Sequence, residues 1–187
     1  MITFPTLSTS RLNLRLIQES DIPSLVKYCN NKKIGDQIIN IPYPYTESDA
    51  IDRMNFIQEG FRNQKRFVFA IALKDNDELI GEIGLHLDKT NNSAQFGYWI
   101  GEPFWNNGIA TEATSAILKF GFESLHLNKI YATHYPDNVA SGKVMLKNKM
   151  IKEAEMKDHY KINNEYRSVI QYRLTHQEYQ DLVVASN

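Results

Sequence analysis

The stretch Trp105-Asn106-Asn107-Gly108-Ile109-Ala110-Thr111 stands between an apolar run and a run of good helix formers. Successive backbone N–H groups in a turn make a concave anion site. The start of a following helix adds unpaired donors and the positive end of its dipole. Gly108 lets the backbone approach an oxygen closely or take a positive φ. Ala110 keeps the first helical turn narrow, and Thr111 offers a hydroxyl. The chemistry such a loop suits is phosphate binding. It is neither a Walker A loop, which needs Gly-Lys-Ser/Thr, nor a Rossmann G-x-G-x-x-G. The plainer alternative is a strand-to-helix turn capped by asparagine.

Few other residues have types suited to reaction. Glu82 lies in LIGEIGL, and period-two geometry puts it on the face of Ile80 and Gly84. A carboxylate on so apolar a strand is either a base or a structural ion pair. His86 and His134 are weaker base candidates, since a lone strand histidine is more often structural. Asn138, Ser141 and Met145 share one helical face by i, i+3, i+7 spacing. Ser141 is then either a hydroxyl turned toward a ligand or a helix-start residue serving the backbone. Cys29 sits among apolar helical residues and reads as a small buried hydrophobe. No metal site is expected.

These residues need elements to hold them. RLNLRLI (11–17) alternates as a strand with one buried face. Ser20 and Asp21 offer a cap to a helix carrying Ile22, Leu25, Val26 and Cys29. Thr46 and Asp49 form a T-x-x-D capping signature after the proline-punctuated loop 41–46. Residues 66–73, 79–87 and 94–100 read as three strands of an antiparallel meander. A helix over roughly 109–125 and a strand at 129–135 follow, a strand–helix–strand unit that implies one parallel pair. A short helix at 137–148, strands near 152–160 and 165–174, and a helix capped by Thr175 close the chain. The expected fold is an α/β sheet, antiparallel but for one central crossover. Ligands bind beside such crossovers.

With 187 residues and no repeat or linker, one domain over 1–187 is expected. A net charge of −1 gives no electrostatic case for nucleic acid or an anionic membrane. The longest apolar run, 67–73, is far below the roughly 20 residues of a membrane helix. The single cysteine forbids an internal disulfide and points to a reducing, cytoplasmic setting.

The run GYWIGEPFWNNGIATEA (97–113) resembles the cofactor segment of the GNAT superfamily of acyl-CoA N-acyltransferases, and most closely its RimJ/RimL-type branch. Gly108 and Ala110 fill the last two positions of the superfamily's [QR]-x-x-G-x-[GA] loop, and Trp105 stands where Gln or Arg is usual. LSTSRLNLRLIQESD (7–21), IPYPYTESDA (41–50) and PDNVASGKVMLKNKM (136–150) are similar to the branch's opening, substrate-side loop and N-x-x-S helix. The resemblance implies a GNAT-like, mostly antiparallel sheet with a splayed central parallel pair. It implies acetyl-CoA as co-substrate, without metal. Backbone of Asn107, Gly108, Ile109, Ala110 and Thr111 would hold the pyrophosphate. Trp99 and Ile100 would pair with pantetheine amides, and Asn138 would bond the same arm. Ser141 would serve as acid. Tyr98 and Trp99 are otherwise expected to pack in the sheet.

The implied reaction is attack by an amine on the thioester. Freeing an α-amino group at pH 7 costs roughly 1–1.4 kcal/mol, a lysine-like amine roughly 4.6. Two departures bear on catalysis. Gln95 stands where many relatives carry Glu, and Met145 where many carry an acid tyrosine. Glu82 is therefore the remaining base candidate, and a module that binds acyl-CoA without transfer is the competing reading. A third departure is local. Lys149 replaces the glycine that usually ends the N-x-x-S helix, and Asn148 is expected to end it one residue early. The acceptor stays open: a peptide or protein N-terminus, a polyamine, an amino acid or an antibiotic amine. Loop 41–46 and the region 156–166 are expected to border it. A homodimer is expected by analogy only.

Overall fold

The computed structural model describes residues 3–38, 40–162 and 164–185. Eight strands form one sheet: β1 (Leu7–Ser8), β2 (Leu12–Arg15), β3 (Arg66–Leu73), β4 (Leu79–Asp88), β5 (Ser93–Ile100), β6 (Lys129–His134), β7 (Ile151–Ile162) and β8 (Glu165–Thr175). Their spatial order is β1-β2-β3-β4-β5-β6-β8-β7. Helices α1 (Ile22–Cys29), α2 (Lys32–Gly35) and α3 (Glu47–Arg62) precede β3. Helix α4 (Ile109–Lys119) joins β5 to β6, α5 (Val139–Lys147) follows β6, and α6 (His176–Ala185) ends the chain.

The near-continuous apolar sequence of β3 reflects burial on both faces. Phe69 and Ile71 join Ile109, Ala113 and Ile117 of α4 in one core. Val68 and Ala70 point the other way, into a second core with Leu25, Cys29, Met54 and Ile57 of α1 and α3. The strand's period of two thus sorts its side chains between two helical layers.

As expected, β5 and β6 are parallel, but only Ser93–Gln95 pair with Lys129–Tyr131. Beyond Gln95 the two strands part. β5 continues to Ile100 against β4, and β6 continues to His134 against β8. A wedge is left in the sheet.

Several local expectations are corrected. The two-residue β1 and the short α2 were not legible. Asp21 does not cap α1 with its side chain. Its carboxylate instead takes a bidentate pair from buried Arg15, at 2.8 and 2.9 Å, and charge satisfaction outweighs capping. The helix from 109 turns π-helical over Phe120–Ser124, placing Phe120 against Phe67 and Phe69 and Phe122 against Tyr179.

The end of α5 also differs. Asn148 stays at φ −88° because its Nδ2 donates to Val144 and Thr111 carbonyls. Lys149 itself takes φ +62°. Lys149 N–H bonds the Leu146 carbonyl and Met150 N–H that of Met145, a Schellman closure over two buried methionines. Left-handed backbone costs a residue with a Cβ about 1–2 kcal/mol. Lys149→Gly is therefore expected to stabilise the protein by about 0.5–1 kcal/mol after the entropy of an added glycine, raising Tm by about 2–3 °C. An unchanged or lower Tm in a thermal melt would contradict this account.

Candidate active site

Gly108 caps α4 at φ +76°, in the left-handed region. Asn106 takes φ +62° just before it. The first N–H groups of the helix, at Ile109, Ala110 and Thr111, have no acceptor within it. They border a cavity of about 580 Å³. The far wall is the α5 face that carries Ala140, Lys143, Val144 and Lys147.

The loop is held from behind. Arg11 donates to the Asn107 carbonyl at 2.9 Å and pairs with Glu112 at 2.7 Å. Glu112 also accepts from Thr9, Ser10 and the Arg11 N–H. Burial alone would push the Glu112 carboxyl up, but these hydrogen bonds outweigh it and hold the group at about 2. The turn between β1 and β2 is thereby lashed to the first turn of α4. Neither Arg11 nor Glu112 was legible as a pair, since they lie 101 residues apart.

The open edge of β5 faces the same cavity. Gly101 N–H bonds the Ile80 carbonyl. Antiparallel alternation then turns the peptide groups of Trp99 toward β4 and those of Tyr98 and Ile100 toward the wedge. Of the two backbones expected to meet pantetheine, only that of Ile100 is so directed, and Tyr98 takes the place of Trp99. The Trp105 indole donates to the Ile100 carbonyl at 2.6 Å, so Trp105 braces the edge of the loop.

A second cavity of about 240 Å³ lies on the other side of the wedge. The two share a wall of Gln37, Ile38, Tyr98, Trp99, Asn138 and Ser141. In that wall the hydroxyls of Tyr98 and Ser141 meet at 3.0 Å. Burial pushes the Tyr98 phenol up, so it stays protonated. Tyr98 is thus not only sheet packing. Its place in the GYW run was read, but the hydroxyl's partner on α5 was not. Asn138 spends its Oδ1 capping Ser141 N–H at 3.1 Å, which leaves its amide hydrogens for a ligand.

Glu82 lines the second cavity and is 1% exposed. Its Oε2 accepts from Arg53 at 2.9 and 2.7 Å. Its Oε1 has no partner among the described residues. The ion pair expected as the plainer reading is therefore present, and one carboxylate oxygen remains unused. Glu82 pairs with Trp99 and Ile83 with Tyr98. Directly opposed residues share a face, so Glu82 and Tyr98 project from opposite faces of the sheet.

Met145 is 2% exposed within the core. Gln95 donates to Thr133 across the parallel pair at 3.4 Å. His86, near the end of β4, lines the second cavity, and burial with the charges of Arg66 and Arg53 lowers its pKa to about 4, so its imidazole is neutral there. His134 is buried, with Nδ1 on the Tyr135 carbonyl at 2.7 Å. Cys29 is buried, and burial pushes its thiol up. Ile41 and Tyr160 line the second cavity, one from each expected acceptor region. Residue 163 of the latter lies outside the described residues.

The sheet is wedged open at one parallel pair, and a glycine-started helix stands at the wedge. Residues 11–151 match the family model of the acetyltransferase (GNAT) domain. The chain is 32% identical over 176 residues to an uncharacterized N-acetyltransferase p20 of Bacillus licheniformis, covering 93% of this chain and 98% of that protein. It is 27% identical to the ribosomal-protein-serine acetyltransferase of Escherichia coli, over 86% of this chain and 90% of that one. RimL, the ribosomal L7/L12 α-N-protein acetyltransferase solved with coenzyme A, has the same fold. Its TM-score is 0.83 at 20% identity, over 93% of this chain and 99% of that one. The chain belongs to the GNAT acetyltransferase family, and its relatives include the RimJ/RimL-type enzymes. No helix among the described residues is long and apolar enough to cross a membrane.

Proposed function

We propose that the chain, acting as one domain, moves the acetyl group of acetyl-CoA to the primary amine of a peptide or protein N-terminus. The observation that carries this reading is the shared wall between the two cavities. It places a hydroxyl pair on one sheet face and an unpartnered carboxylate oxygen on the other, with the open β5 edge between them. The residues present fit the co-substrate: free N–H groups at 109–111, a glycine at positive φ, and a cavity running from the loop to Ser141.

Bound acetyl-CoA supplies an acyl group activated as a thioester. The N–H groups of Ile109, Ala110 and Thr111 take its pyrophosphate, and Asn138 offers its amide hydrogens to the arm. One of the wedge-facing N–H groups of Ile100 and Tyr98, which stand about 6.8 Å apart along the strand, supports the carbonyl oxygen as it gains charge, and the other bonds the arm. The amine comes from the second cavity and gives a hydrogen bond to Glu82 Oε1. The N–C bond forms as the C–S bond breaks. The amine's proton leaves toward Glu82. The departing thiolate accepts a hydrogen bond from the Ser141 hydroxyl, backed by Tyr98, and takes its proton from solvent, to which Glu82 returns the one it took. An α-amino group needs only about 1–1.4 kcal/mol to lose its proton at pH 7. That small demand, and relatives named for ribosomal proteins, support the N-terminal acceptor over a polyamine. A reducing cytoplasmic setting belongs to the same reading, supported by the lone buried cysteine.

The test is thiol release from acetyl-CoA with N-terminal peptides, polyamines, amino acids and aminoglycosides. Release with the peptides is expected. Ser141→Ala should then lower kcat by roughly tenfold with KM unchanged. The loss should be smaller than a typical acid's 10²–10⁴, because a thiol of pKa about 8.5 leaves tolerably as the thiolate. Silence across the panel would favour a binding module without transfer, and release with polyamines alone would overturn the acceptor assignment.

A further inference from the structure

Gly97 is the exposed residue in the part of β5 that borders the wedge, between buried Phe96 and half-buried Tyr98. A Cβ built on it meets no described residue within 4 Å. Its strand partner, Gly84, is different in kind. There a Cβ would strike Val68 Cγ2 at 2.7 Å, so packing demands glycine. At 97 neither packing nor a positive φ demands it. The missing side chain opens space instead, and a strand glycine of this sort marks close approach by a ligand.

Gly97 lies on the Glu82 face of the sheet. Glu82 is opposite Trp99, and Gly97 is the diagonal neighbour two residues before Trp99. Such neighbours are about 7–8 Å apart, within the reach of a glutamate side chain and one small group. Both residues line the second cavity. That cavity, about 240 Å³, is smaller than the roughly 300–1,000 Å³ of sites for drug-sized ligands. It has room for the end residue of a chain. The Oε1 of this carboxylate, 98% buried in its side chain and without a partner among the described residues, accepts a hydrogen bond from a donor that enters, such as an amine N–H.

Resting on the transfer reading above, we infer that Gly97 is the specificity-determining position of the acceptor pocket. The absent side chain leaves the space through which the amine-bearing α-carbon of an N-terminal residue passes to reach Glu82 Oε1. A side chain at 97 would fill that space and bar the acceptor, while the first cavity, which Gly97 does not line, stays open.

The test uses the full chain and two probes that need no turnover. One is CoA, and the other is CoA carrying an S-acetyl-glycinamide group, which extends from the sulfur into the acceptor side. Affinities are measured by calorimetry for the parent, Gly97→Ala and Gly97→Leu. The parent is expected to bind the conjugate at least tenfold tighter than CoA. The gain should shrink in Gly97→Ala and vanish in Gly97→Leu, with CoA affinity changed less than twofold in both. Equal affinity of the parent for both probes overturns the inference, as does a gain that survives in the Gly97→Leu variant. An equal loss of CoA affinity assigns the space to the co-substrate and also overturns it. If Gly97→Leu does not fold, the alanine variant carries the comparison, since its methyl enters open space. Silence in the thiol-release panel with the conjugate pattern intact would remove the transfer reading and leave the pocket standing.

Discussion

Gly108→Val is expected to weaken acetyl-CoA binding by about 100-fold while the protein remains folded. Two effects act together. Valine at φ +76° is strained by about 1–3 kcal/mol, and a β-branched side chain tolerates that region worst. The strain relaxes if residues 106–109 rotate, but rotation turns the donors away from the anion. A hydrogen bond to a charged group is worth about 1.5–3 kcal/mol, so losing one or two accounts for the expected factor. The fold survives because Gly108 is exposed and a Cβ there approaches only Arg11 Nη2, at 3.5 Å. Calorimetry with acetyl-CoA, alongside a melt of the free protein, reads both quantities. A Kd within threefold of the parent would remove residues 108–111 from the phosphate site.

The second large effect concerns Glu82 and Arg53. Glu82→Ala is expected to destabilise by about 3–5 kcal/mol, because it leaves a guanidinium without its charge partner. For a chain of this size that lowers Tm by roughly 10 °C. Activity should fall as well, but that loss alone says nothing about mechanism. The informative variant is the double replacement Glu82→Met with Arg53→Met. Exchanging a buried ion pair for apolar groups of similar volume is often neutral or stabilising, so Tm should return to near the parent value. Turnover should stay about 10²–10⁴-fold below the parent, the contribution of a positioned base. Acetyl-CoA binding should be intact in both proteins, because Glu82 and Arg53 line only the second cavity. Recovery of turnover together with Tm would reduce Glu82 to a structural residue and move the base elsewhere.

By itself the sequence determined the parts of this protein governed by local rules. The glycine at the start of α4, the capping pair Thr46 and Asp49 and the meander of 66–100 are set by φ preference, reach and period, all of which act over a few residues. The shared face of Asn138, Ser141 and Met145 follows from helical spacing, and Met145 is buried as an apolar residue there should be. Other features needed the tertiary structure because their partners are remote. Strand parity gives the face of Tyr98 but not the parting of β5 from β6 that sets its hydroxyl beside Ser141. Glu82 was visible as an oddity on an apolar strand. That one of its oxygens is taken and the other left depends on Arg53, on a helix 29 residues earlier. Lys149 took the strained conformation itself because Asn148 was claimed by the Thr111 carbonyl on α4. The physical reason is common to all three. Conformational preference is written residue by residue, whereas a hydrogen bond or a charge pair between distant residues exists only once the packed layers have brought its two ends together.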